Sequence, residues 1–312
     1  MGLGTHTESR DYLIAYNVLV PDSANESNYE VFLTDMEGSY HRNLTNHPDV
    51  AWTYEAYDDR ILFNSDRDTC YRCYFLYEMD VQGKILQKVS DIQLQDSWMG
   101  VRKEGQELLV NPKHDSVFYL IDREGNLLER LDPGMKYIND PAFSPDGLQI
   151  VFRGSLRSKK EKRDRYMNVP HSERLEKEFI DELYIMSSDG SDVRQLTHYP
   201  IGDTTALWYN YHAGPPRWHP KEGYISYQSK QDGKSSLFGV QPDGSSMGRL
   251  TDLEGQEGWH DWSPDGRYLV IEVWDLDYER SDIILYDMQR KDHKVLTGDA
   301  YDLQQAPVFV VP

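Results

Sequence analysis

Six times along this chain a short segment closes on an aliphatic residue followed by Thr, Ser or Asp: Leu44-Thr45, Val89-Ser90, Leu131-Asp132, Leu196-Thr197, Leu250-Thr251 and Leu296-Thr297. These endings lie 45, 42, 65, 54 and 46 residues apart, so a unit of about 45 residues recurs with extra chain in the middle. That period falls in the range of blade-type repeats. Two domains would be the ordinary expectation for 312 residues, but the uninterrupted repeat makes residues 1–312 one domain. Function then belongs where the repeat is broken.

Each unit reads as four short strands, A to D. Strand A ends in a turn seen best in Phe143-Ser144-Pro145-Asp146-Gly147 and Trp262-Ser263-Pro264-Asp265-Gly266. There Pro presets one dihedral and Gly accepts positive φ. Strand B is an apolar run: Ile14 to Tyr16, Ile61 to Phe63, Leu108 to Val110, Ile150 to Phe152, Ile225 to Tyr227 and Leu269 to Ile271. Strand C turns through an Asp/Gly pair into strand D, which carries the Leu-Thr ending. Tyr12 to Asn17 matches a strand B with no strand A before it, and Ala306-Pro307-Val308-Phe309 matches a strand A with nothing after it. One blade shared between the termini would close the ring and remove two sheet edges. The expectation is an all-β, six-bladed propeller of four-stranded antiparallel blades, with a short helical insertion near 155–181.

The pattern of Ser-Pro-Asp-Gly, apolar strand, Asp-Gly and Leu-Thr, clearest in residues 182–197 and 237–266, resembles the TolB-type (PD40, WD40-like) propeller repeat. Tyr57-Asp58-Asp59 and Lys103-Glu104-Gly105 stand in for the Pro-Asp-Gly turn in the two weakest units. The resemblance implies the fold, whereas function has to be argued from a site. Acidic, Tyr-rich propellers of this type point to a periplasmic or extracellular protein. Met1 to Arg10 lacks an apolar signal core, which leaves either a cytoplasmic protein or one whose leader has been removed.

The net charge of −20 repels nucleic acid and anionic membranes, so neither is an expected partner. No apolar run approaches the roughly 18 residues needed to span a bilayer. Cys70-Tyr71-Arg72-Cys73 sits in a strand B to C turn and reads as a local disulfide or two free thiols, since the βαβ context of a redox pair is missing. A monomer is expected.

Alternating strand direction alone puts the A–B and C–D turns at one end, and the B–C turns and the connections to the next blade at the other. The second end carries the long segments, among them Ser155 to Asp181 and His198 to Pro215. Loops gathered at one end of a rigid scaffold are where ligand sites are usually built. Ser155 to Asp181 is rich in Lys and Arg, and the neighbouring loop holds Trp208, Tyr209, Tyr211 and His212, so the two together suggest a basic, aromatic lid or, equally, a solvated flap. The residue after each strand B triplet is polar in all six units: Asn17, Asn64, Asn111, Arg153, Gln228 and Glu272.

Ligand-binding candidates at the mouth are Trp52, Asp96, Trp98, Asp140, Arg153, Tyr209, Tyr211, His212, Arg217, His260, Asp261, Glu272 and Gln304. Aromatic planes beside carboxylates, amides and Arg suit an oligosaccharide, a peptide or a protein. Oligogalacturonate lyases are built from similar repeats and hold a divalent metal with three His and a Gln. The chain resembles them in His212, Gln256 and His260, a set implying Mn or Ca, although Trp262 stands where a second His would follow His260. In an enzyme of that kind His212 or His260 would be the base, and Arg153 or Arg217 would stabilise developing negative charge. Asp140 with Glu272 is a conceivable carboxylate pair for hydrolysis. No complete catalytic motif is present, so a binding propeller is expected, with a metal-assisted lyase or hydrolase of uronic-acid oligosaccharides as the alternative.

Overall fold

A computed structural model describes residues 12–20, 28–157, 160, 181–200, 202–206, 210 and 212–312. Its strands form six separate four-stranded sheets, all with antiparallel pairing between neighbours. Blade 1 is zipped from both termini: β24 (Gln304–Val310), β1 (Leu13–Leu19), β2 (Tyr29–Asp35) and β3 (Arg42–Asn43). Leu13 pairs with Val310 and Ile14 with Phe309, which is the closure the terminal half-units imply.

Blade 2 runs β4 (Ala51–Tyr57), β5 (Arg60–Ser65), β6 (Phe75–Asp80) and β7 (Ile85–Lys88). Blade 3 runs β8 (Gly100–Arg102), β9 (Glu107–Val110), β10 (Phe118–Asp122) and β11 (Leu127–Leu131). Blade 4 runs β12 (Tyr137–Phe143), β13 (Gln149–Ser155), β14 (Glu182–Ser187) and β15 (Arg194–Gln195). Blade 5 runs β16 (Arg217–Trp218), β17 (Ile225–Gln231), β18 (Lys234–Val240) and β19 (Ser246–Arg249), and blade 6 runs β20 (Gln256–Trp262), β21 (Tyr268–Trp274), β22 (Ser281–Asp287) and β23 (Asp292–Val295). The first strand of each blade lies innermost, against the first strands of its neighbours. All the described elements are strands. Most of the helical insertion expected near 155–181, residues 158–159 and 161–180, lies outside the described residues, so the structure gives it no support.

The core lies between blades. Val151, Leu183 and Ile185 of blade 4 pack with Trp218, Tyr227 and Phe238 of blade 5, and the other seams are filled the same way. Phe143, Trp218 and Trp262, which precede the turns, are buried in this packing.

The repeat signature has a hydrogen-bond explanation. Thr197 Oγ1 accepts the Leu183 N–H at 2.8 Å and donates to Glu182 at 2.6 Å, closing the start of strand C. Thr45 does the same for Val31 with Glu30, and Thr297 for Ile283 with Asp282. In blade 5 the acid comes from the next blade, where Glu257 accepts from Thr251 and from the Leu237 and Leu253 amides. Thr197→Val keeps the shape and leaves the Leu183 N–H unpaired. We expect a loss of about 1–3 kcal/mol in urea denaturation; an unchanged midpoint would mean that the hydroxyl does not secure this strand.

The Asp-Gly turn meets the Leu-Thr ending of the blade before it. A Cβ on Gly83, at φ +84, would lie 2.6 Å from the Leu44 carbonyl oxygen, and one on Gly125, at φ +81, 2.1 Å from that of Val89. Only Gly combines that dihedral with that approach. The two most regular parts of the repeat therefore serve the seam between blades.

Cys70 and Cys73 form a disulfide across the β5–β6 turn, at the loop-bearing end. This settles the choice between a bridge and two thiols.

Candidate functional site

Four aromatic rings from three blades fill the loop-bearing end of the channel. Trp52 and Tyr54 stand on β4, Trp98 on the segment before β8, and Trp259 on β20. Trp259 meets Trp52, Tyr54 and Trp98 edge to face, with centroids 6.0, 6.2 and 6.4 Å away. Tyr54 and Trp98 lie 5.2 Å apart. Trp52, Tyr54 and Trp98 are buried, while Trp259 is half-buried. Aromatic faces expected to be open to a ligand are thus largely spent on one another.

Deeper along the inner strands, Arg217 of blade 5 reaches across to blade 2, three positions round the ring. Its guanidinium lies 3.8 Å over the Trp98 ring, Nη2 donates to the Tyr54 carbonyl at 2.8 Å, and Nη1 donates to Glu55 at 3.3 Å. Nε stands 3.6 Å from Asp261. Register makes the three charged residues equivalent: Glu55 pairs with Leu62, Arg217 with Ser226 and Asp261 with Val270, each the middle residue of its strand B triplet. Burial pushes the Glu55 carboxyl up to about 7, with Arg217 opposing and Asp261 reinforcing the rise. Burial likewise raises Asp261, with Arg217 again opposing. One guanidinium serves two carboxylates.

His260 is a neutral brace. Its Nε2 lies 2.6 Å from Ser226 Oγ, which also accepts the Trp262 indole N–H at 2.8 Å and donates to the Arg217 carbonyl at 3.2 Å. Burial first, and then the Arg217 charge, drive the imidazole down to about 3. This Ser–His contact has the spacing of a nucleophile and base. Ser226 is wholly buried, however, and its hydroxyl is already held by three groups.

The residues grouped by the metal reading have separate partners. Gln256 Oε1 accepts from the Ser235 amide at 2.9 Å and the Tyr278 hydroxyl at 3.1 Å. The His212 ring packs edge-on against Tyr199 at 4.5 Å, within a loop held to the β17–β18 turn through Asp203 and Thr205. Among the described residues no group of three or more His, Cys, Asp or Glu is placed to hold a metal ion. His260 Nε2 and Gln256 Oε1 are bonded to protein, while His260 Nδ1 is buried without a hydrogen-bond partner.

Asp140 and Arg153 form a buried ion pair at 2.9 Å, and Asp140 also accepts the Trp98 amide at 3.2 Å. Glu272, pushed up to about 7 by burial, accepts the Ala306 amide at 2.9 Å and the Trp274 indole N–H. Asp140 and Glu272 stand in blades 4 and 6, each bonded to its own neighbours. Gln304 donates to Asp282 and to the Gly298 carbonyl, bracing a loop. Asp96 is exposed and accepts the Tyr54 hydroxyl. Tyr209 and Tyr211 lie outside the described residues.

At four of the six units the polar position after strand B bonds across a seam, whereas Arg153 pairs with Asp140 in its own blade and the Asn64 side chain has no hydrogen-bond partner. Asn17 Nδ2 donates to the Thr53 carbonyl at 2.9 Å, and its Oδ1 accepts the Thr53 N–H at 2.7 Å. Asn111 donates to Ile138, Gln228 to Glu257 and Ala306 to Glu272, in every case across to the inner strand of the next blade. Sequence reading passed over Tyr54 and Glu55 because the turn after them lacks the Ser-Pro-Asp-Gly signature. Aligning Glu55 with Arg217 and Asp261 was the available signal.

The fold and channel define a closed, TolB-like six-bladed propeller. TolB from Acinetobacter baumannii superposes with a TM-score of 0.67 at 14% identity, over 96% of this chain and 66% of that one. A TolB from Agrobacterium tumefaciens gives 0.62 at 18% identity, over 92% and 88%. Oligogalacturonate lyase in complex with manganese gives 0.50 at 13% identity, over 90% and 77%. This chain spans just under two-thirds of the Acinetobacter protein. No protein-family profile and no curated protein matches it.

Proposed function

We propose that the chain is a non-catalytic binding propeller that holds a protein or peptide partner at its loop-bearing end. One observation carries this: Arg217 and His260 are held in contacts between blades, and Arg153 in a buried ion pair with Asp140 within blade 4. Packed indoles also leave little open plane for a sugar, which favours a polypeptide over a glycan. A chain of a nidogen/laminin complex, a protein–protein assembly, shares the fold with a TM-score of 0.59 at 9% identity. The Cys70–Cys73 disulfide favours an oxidising compartment, so we place the chain in the periplasm or outside the cell.

The lyase reading has one observation on its side, the shared fold of the manganese-bound lyase. Incubation with trigalacturonate and Mn, followed by ultraviolet absorbance of unsaturated product, separates the two. We expect no product. Turnover that disappears in His260→Ala would replace the binding reading with the enzymatic one.

A further inference from the structure

We infer that the loop-bearing mouth is a seat for the basic side chain of a partner polypeptide, an arginine or a lysine held between aromatic faces and carboxylates. The inference deepens the binding reading above and rests on it.

The protein already contains one such arrangement. Arg217 lies over the Trp98 ring and is shared by Glu55 and Asp261, so the channel stabilises a guanidinium by ring and carboxylate together. Further rings and carboxyls stand near this cluster. Trp259 is half-buried, and the Tyr29 ring lies 4.2 Å from that of Trp52, tilted 59° to it. The Tyr29 hydroxyl sits in the fields of Glu272 and Asp96. The nearby cation Arg72 is exposed and donates through Nε to the Tyr71 hydroxyl at 3.2 Å. Glu55 and Asp261 are taken up by Arg217, and around Tyr29 two carboxyls, Asp96 and Glu272, stand against the one guanidinium of Arg72, in a chain of net charge −20. That balance draws a cation.

A separate observation points to a polypeptide as its carrier. Asn17 grips both the N–H and the C=O of Thr53 across a seam. Asn64 holds the equivalent place one blade on, is 1% exposed, and has neither amide atom bonded. The indole N–H groups of Trp52 and Trp98 are likewise buried without a partner. Asn64 and Trp98 belong to blades 2 and 3, whose seam is short here because β8 begins only at Gly100, and Trp52 pairs with Asn64 on the adjacent strand. An incoming extended segment would supply the backbone groups that Thr53 supplies to Asn17. Because these atoms are covered, seating it shifts the two indoles, and their fluorescence reports the event.

The test titrates a blocked Ala-Arg-Ala tripeptide and its citrulline counterpart, which differs only in charge, against the full chain while tryptophan emission is followed. The arginine peptide should bind at least about tenfold more tightly, and added salt should weaken it. Trp259→Ala should erase the preference; Asp96→Asn, an exposed change that spares the packing, should reduce it severalfold. Equal binding of the two peptides, with loss of both in Trp259→Ala, would leave a polypeptide site and overturn the cation seat. Failure of both peptides to bind would overturn it as well, and uronate turnover would remove the binding reading beneath it.

Discussion

Replacing Arg217 by Met is expected to destabilise the protein by about 3–5 kcal/mol, the range for stripping a buried carboxylate of its partner. The guanidinium is 7% exposed, whereas Glu55 and Asp261 keep 18% each. The substitution takes away the only positive charge bonded to either carboxylate among the described residues, and the cover over Trp98. It also breaks a side-chain bridge from blade 5 to blade 2 across the channel. Hydrophobic volume is nearly conserved, so the loss should be electrostatic, which a compensating variant can establish. Arg217→Met combined with Glu55→Gln and Asp261→Asn should recover most of the stability in urea, because neutral amides cost less to bury than carboxylates. A loss below about 1 kcal/mol for the single change would put the bridge in the range of exposed pairs and show that water reaches it freely.

The sequence carried the architecture well and the site poorly, for different reasons. Blade number, terminal closure and loop-bearing end follow from period and strand direction, and Thr45, Thr197 and Thr297 repeat because each strand C start needs the same cap. The channel obeys no period. Glu55, Arg217 and Asp261 meet only because blades 2, 5 and 6 converge on one axis, and the chemistry at equivalent positions differs in each. Trp52 and Trp98 read as rim residues from composition, while the structure buries both among other rings. The same holds for Arg153 and Glu272, whose charge suggested ligands and whose partners are Asp140 and the Ala306 amide. The role of a polar residue near the axis depends on the blade opposite, which local sequence does not record.

The same buried charges predict an unusual pH profile, with stability greatest near pH 4.5 and a net fall of about 3 kcal/mol by pH 7.5. Glu55 and Glu272 are pushed from 4.5 up to about 7, chiefly by burial. Between those values the folded state holds protons that the unfolded chain has released, so each carboxyl costs stability as pH rises, up to about 3 kcal/mol. His260 acts in the opposite sense. It is held down to about 3 by burial and then by Arg217, while in the unfolded chain it titrates near 6.5. Folding therefore excludes a proton from about pH 3 to 6.5, and stability rises with pH across that window. Asp203 works the same way lower down: burial alone would raise it, but hydrogen bonds from Thr205 and Asp232 outweigh this and hold it at about 2. Glu55 and Glu272 falling against His260 rising leave a net decline from pH 4.5 that continues past 6.5 and fades above about pH 7, where both carboxyls ionise in the folded state too; the raised Asp261 carboxyl adds in the same falling sense. Glu272→Gln keeps an oxygen for the Ala306 amide and removes one falling contribution. The variant should be flat from pH 4.5 to 6.5 and up to about 3 kcal/mol more stable than the parent at pH 8. Chemical denaturation across that range measures both proteins; a parent profile that rises toward pH 8 would mean that Glu55 and Glu272 ionise in the folded state as readily as in water.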